Sequence, residues 1–142
     1  MKTVRVIFSR RANVGSLFLR TFMWSAWSHC ALIDGNQVIE AAMFHGVRTR
    51  SLDEFISDAS AWEVVEVPAA DPAAVIAAAR SQIGKPYDWL GALAFAARRD
   101  WQQASDWFCS ELVAWSFTAG GSPLFRVDAW RITPRDIYIR NY

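Results

Sequence analysis

Cys109 stands in the run Asp-Trp-Phe-Cys-Ser-Glu-Leu-Val (106–113), where a polar stretch gives way to an apolar helical pattern. A thiol in the first turn of a helix faces unpaired N–H groups and the positive end of the helix dipole. Both favour thiolate over thiol and lower a pKa of roughly 8.5 by one or more units. Buried in mid-helix, the same residue would be a small inert hydrophobe. A nucleophilic thiol also needs a base, and the base needs a group that orients it. His29 and Glu40 are the residues whose types and spacing supply both.

His29 opens one short strand and Glu40 lies on the next, with Asp34-Gly35-Asn36 between them as a hairpin signal. The turn decides how the two side chains meet. An Asp34-Gly35 loop, the preferred type I′ pair, sets His29 directly opposite Glu40. A Gly35-Asn36 loop pairs Ala31 with Glu40 and leaves His29 diagonal to it on the same face. A three-residue loop separates the two faces. Directly opposed residues have Cβ atoms about 4.5–5.5 Å apart, near enough for a carboxylate to accept an imidazole N–H and fix its tautomer. His45, in a turn after the second strand, is the rival base. Cys30 should point away from His29 into the core.

The elements that must position these groups can be read along the chain. Residues 3–9 alternate as a strand, and Asn13 caps a helix over 14–24. Strands follow at 28–33 and 37–42, with 47–50 extending the sheet. Ser51-Leu-Asp-Glu54 is a capping box that opens a short helix ending near Asp58. Residues 62–67 form the next strand. Asp71-Pro72 starts an alanine-rich helix that ends near Gly84. Lys85-Pro86-Tyr87 turns the chain, and Asp88 caps a further helix. A polar loop at 100–106 precedes the helix 107–119, which Gly120-Gly121 stops. The tail holds a single turn at 134–136 and an apolar segment at 137–139. Strands cluster early and long helices late, which makes an α+β fold with a mostly antiparallel sheet packed against helices.

Composition sets the bounds. The 142 residues suit one domain spanning 1–142, 53% are apolar and 20% charged, and this is a globular balance. A net charge of +1 gives no ground for a nucleic-acid or acidic-membrane partner. Arg10-Arg11 and Arg98-Arg99 are pairs, too short for a binding stripe. Two cysteines make no disulfide framework, and with only two histidines no short ligand spacing suggests a metal site. No cofactor is expected. The longest apolar stretch, 90–97, is far short of a membrane span. Ser9-Arg10-Arg11 faintly resembles a twin-arginine leader, but Arg20 interrupts the apolar run and no cleavage site follows. No export signal is therefore read, and a cytoplasmic enzyme, bacterial or phage-encoded, is the default expectation.

Four segments, Ser-His-Cys-Ala-Leu-Ile (28–33), Val-Ile-Glu-Ala (38–41), Gly-Lys-Pro-Tyr-Asp (84–88) and Phe-Cys-Ser-Glu-Leu-Val (108–113), resemble the circularly permuted NlpC-like cysteine peptidases and amidases. The resemblance runs over essentially the whole chain, and the cysteine block is its most specific part. It implies a papain-type fold whose histidine strands precede the cysteine helix. It also implies Cys109 at a helix N-terminus as nucleophile, His29 as general base and Glu40 as the orienting group, a Cys-His-Glu triad. The Cys109 backbone N–H is the first oxyanion donor it leads one to expect. Tyr87 matches the motif tyrosine and either lends a hydroxyl or holds the turn. Trp89 and Trp107 are candidates for the substrate-binding walls. Ser110 and Glu111 face away from the thiol at 100° per residue.

Three functions stay open from the sequence. A cysteine hydrolase would cleave amide or peptide bonds, peptidoglycan stem peptides among them, through an acyl-thioester on Cys109. A thioesterase or lipid acyltransferase would use the same trio on an acyl substrate. A catalytically silent papain-fold domain would bind a peptide or partner, and against it stands the presence of all three residues. The oligomeric state is not legible.

Overall fold

Alternation with β-branched residues drives the sheet. In the computed structural model, which describes residues 1–10, 27–42, 45–85, 104–125 and 134–140, five strands form: β1 (Thr3–Arg10), β2 (His29–Asp34), β3 (Gln37–Ala42), β4 (Gly46–Ser51) and β5 (Ala61–Pro68). Their order is β4-β3-β2-β1-β5, and each described pairing is antiparallel. The expected α+β class with an antiparallel sheet is what forms. The expected helix at 14–24, the Asp88-capped helix, and Tyr87 and Trp89 lie outside the described residues.

The period of two splits the strands between two apolar layers. Val4, Val6 and Phe8 of β1, with Cys30, Leu32, Ile39 and Ala41, face a larger core that also takes in Val75, Cys109, Val113 and Phe117 from the helices. Ile7, Ala31, Ile33 and Val38 face a smaller one closed by Phe55. Phe55 belongs to α1 (Leu52–Ser57), which starts where the capping box requires: Ser51 Oγ accepts from the Glu54 N–H at 3.1 Å. The larger core is covered by α2 (Pro72–Ser81), α3 (Ala104–Ala119) and α4 (Pro134–Arg140). Asp71 caps α2 by accepting from the Ala74 N–H at 3.1 Å, with Pro72 in the first turn.

Three boundaries are fixed by the fold, the first a choice the sequence left open and the other two different from its reading. The hairpin turn is Gly35-Asn36, with Asp34 paired to Gln37. Gly35 adopts a φ of 59°, and the Asp34 carboxylate at the strand end accepts from Arg80 Nε of α2 at 2.6 Å. The tail is a seven-residue helix, not a single turn. Burying Ile137 in the larger core, and setting the Tyr138 ring edge-on to Phe8 at 5.4 Å, is the packing that extends it.

The third is α3, which begins three residues earlier than its apolar pattern suggests, at Ala104. First-turn N–H groups need acceptors, so helices commonly open on polar residues that resemble loop in composition. Its other end matches expectation. Gly121, at φ 77°, ends the helix with hydrogen bonds from its N–H to Thr118 O (3.1 Å) and from Ser122 N–H to Phe117 O (2.8 Å).

Candidate active site

The β2–β3 register sets Leu32 against Ile39; one residue further along, Ala31 faces Glu40 and His29 lies diagonal to it on the same face. The diagonal is close enough. His29 Nε2 lies 2.8 Å from Glu40 Oε2, the second of the three hairpin geometries. His29 is the first residue of β2, and its ring is stacked on Phe55 of α1 with centroids 5.6 Å apart and planes at 27°. With Nε2 committed to Glu40, Nδ1 is the nitrogen left for Cys109.

Glu40 is 2% exposed, and a carboxylate buried to that extent needs partners for both oxygens. Oε1 accepts from Arg48 Nε at 3.0 Å, and Arg50 NH1 stands 3.6 Å away. Arg48 is the cross-strand partner of Glu40, and Arg50 shares its face two residues on. Burial alone would raise the Glu40 carboxyl, but the bonds and charges of His29 and Arg48 outweigh it and hold it down to about 2.

Cys109 is 1% exposed and sits in the larger core beside Cys30. It is the sixth residue of α3, in the second turn and not the first. The dipole effect fades within the first turn, so the cause expected from the sequence gives way to another. Burial pushes the thiol up. The Cys30 thiol and backbone, hydrogen-bonded to the sulfur, and the His29 imidazolium bring it well below the ordinary thiol range. Burial would likewise lower His29, but Cys109 and Glu40 together raise it to about 10. The favoured charge state is thus thiolate beside imidazolium, with Glu40 ionised behind it.

The Cys109 N–H, expected as the first oxyanion donor, falls within the intrahelical ladder at this position. Neither cysteine is in a disulfide. Cys30 occupies the core as expected, but its contact with Cys109 was not read from the sequence. Arg48, Arg50 and Phe55 were missed as well. The signals for them existed: arginines spaced by two on a strand beside the Glu40 strand, and an aromatic residue on the apolar face of a capped helix. His45 is exposed in the turn between β3 and β4. Tyr87 and Trp89 fall outside the described residues, as does the side chain of Trp107. Glu111 is half-buried, and burial raises its carboxyl.

A sheet that carries histidine and carboxylate on neighbouring strands, followed in sequence by a cysteine helix packed on it, has the layout of a papain-like fold in permuted order. Residues 3–135 match the family described as permuted papain-like amidase enzyme, YaeF/YiiX, C92 family, and the chain belongs to it. It is accordingly an enzyme of the cysteine peptidase/amidase type. The permuted papain-like resemblance holds, and its family is the YaeF/YiiX one. The fold is similar to the crystal structure of the metalloprotein yiiX from Escherichia coli O157:H7, with a TM-score of 0.60 and 20% identity over 87% of this chain and 68% of that one. No curated protein matches the chain.

The word metalloprotein belongs to that neighbour. Among the described residues of this chain, no group of three or more His, Cys, Asp or Glu is placed to hold a metal ion. The oxygen of Glu40 not facing His29 meets a guanidinium, where a metal would need an open ligand. No helix among the described residues is long and apolar enough to cross a membrane.

Proposed function

We propose that the chain hydrolyses amide or peptide bonds through an acyl-thioester on Cys109, with His29 as acid and base and Glu40 orienting it. The observation that carries this reading is the 2.8 Å contact between His29 Nε2 and a buried, ionised Glu40, which leaves Nδ1 for the thiol. The thiolate attacks the carbonyl carbon, and the carbonyl electron pair moves onto oxygen. As the tetrahedral species collapses, the C–N bond breaks, and the imidazolium gives its Nδ1 proton to the departing amine. An acyl-thioester and neutral His29 remain. Water then attacks the acyl carbon while His29 takes its proton; the C–S bond breaks, releasing the acid and restoring the ion pair. Glu40 stays charged throughout and stabilises each imidazolium state.

Peptides, including peptidoglycan stem fragments, are the substrate class proposed. Intact-mass trapping with an activated peptide amide and with an acyl ester of equal length tests it. A Cys109-dependent acyl adduct from the peptide is expected. Acylation by the ester alone would replace this reading with a thioesterase or acyltransferase.

A further inference from the structure

Behind the Cys109–His29–Glu40 trio lies a second layer of charge that the proposed mechanism does not use. Arg48 and Arg50 project from β4 on the face where Glu40 projects from β3, and Glu40 Oε1 lies 3.0 Å from Arg48 Nε and 3.6 Å from Arg50 NH1. Arg50 also reaches the Asp58 carboxylate and, at 3.4 Å, the Glu54 carbonyl, both belonging to α1 or its C-cap. The same helix carries Phe55, on which His29 stacks. Arg50 therefore joins the carboxylate to the platform under the imidazole, and Arg48 holds the same oxygen from the paired strand position.

We propose that Arg48 and Arg50 are positioning residues, a two-guanidinium clamp on Glu40 Oε1 that keeps the buried carboxylate charged, aims Oε2 at His29, and sets the pH at which the Cys109–His29 ion pair forms. The inference rests on the catalytic reading above. A buried carboxylate that loses its cations is under strong pressure to take up a proton. Neutral Glu40 no longer stabilises imidazolium, and the thiolate then forms only at higher pH. Among the described residues, the charged and titratable groups at this site are His29 and Cys30 from β2, Glu40 from β3, Arg48 and Arg50 from β4, Glu54 and Asp58 around α1, and Cys109 from α3. A through-space cation acting on His29 directly would have the opposite sign, because its removal favours imidazolium.

The test is the rate of iodoacetamide alkylation of Cys109, read by peptide mass as a function of pH in the full chain. Arg48→Gln should move the acid limb up by about one unit, a roughly tenfold slower reaction on that limb. Arg48→Lys, which keeps the charge, should recover most of the shift. Arg50→Gln, with the longer contact, should move the limb the same way by less, and carries the test if Arg48→Gln does not fold. A limb that stays in place or moves down in a folded variant overturns the clamp while leaving the catalytic reading intact. A wild-type Cys109 that alkylates no faster than a free thiol overturns both.

Discussion

Cys109 owes its lowered pKa to neighbours. In the second turn of α3 the helix dipole has little hold on it, and what lowers its pKa is the Cys30 thiol and the His29 imidazolium. Cys30→Ala should therefore slow acid-side alkylation of Cys109 about three- to tenfold, because one hydrogen bond to a charged group contributes roughly 1 kcal/mol or more; thermal melting should separate this from loss of fold. The sign of the pH dependence follows from the same pair. Cys109, lowered, is already anionic below the ordinary thiol range, and His29, raised to about 10, stays protonated until the pH reaches that value. Amide hydrolysis should be level through neutrality and decline as the pH passes about 10, as a full pH–rate profile would record. Glu40→Gln keeps the shape and removes the charge, and should lower the level region by up to about ten-thousandfold.

At the scale of elements, the site depends on how helices seat against the sheet. The end of α3 approaches α2 so closely that a Cβ on Gly120 would lie 2.7 Å from both Val75 Cγ2 and the Val75 backbone nitrogen. Backbone cannot give way there, so Gly120→Ala should cost about 1–3 kcal/mol in urea unfolding. Gly120 was legible as a helix stop and not as a contact, because close approach is a property of two elements. Capping residues were the most legible part of the chain: Ser51 with Glu54, and Asp71 with Pro72, each fix a start through a local hydrogen bond. Where the start is marked only by polarity, as at Ala104, composition misplaces it, and with it the turn on which Cys109 sits. The hairpin was legible as a choice among registers. The register that forms buries Ile33 and Val38 in the smaller core and sets Gly35 at positive φ in the turn, and Asp34 also accepts from Arg80 of α2.

Across the whole molecule, the buried charges of the site also govern stability. Glu40 is held down to about 2 from an unfolded value of 4.5. A lowered folded pKa means stability that is complete above about 4.5 and lost as the pH falls towards 2, on the order of 3 kcal/mol in full. Urea midpoints taken at stepped acid pH should fall across that window, and Glu40→Gln should flatten the fall. The antiparallel sheet follows from strand period and turn chemistry, and so could be read in advance. The shared face of His29 and Glu40 belonged to two of the three hairpin geometries left open, and the register decides it. For Arg48 and Arg50 the spacing of two was legible but their pairing with Glu40 was not, because the β3–β4 register depends on a connection whose length the strand pattern does not mark. Nor was the meeting of Cys109 with Cys30, which arises only when α3 lies on β2.

The central claim is that His29, held by Glu40, turns the buried Cys109 into a nucleophile. Its most direct measurement is the alkylation rate of Cys109 by iodoacetamide at about pH 6, in the wild type and in His29→Ala, against a free thiol of roughly pKa 8.5. The wild-type rate should lie well above that of the free thiol and collapse in His29→Ala. Equal rates in the two proteins, or a wild-type rate no higher than the free thiol, would contradict it.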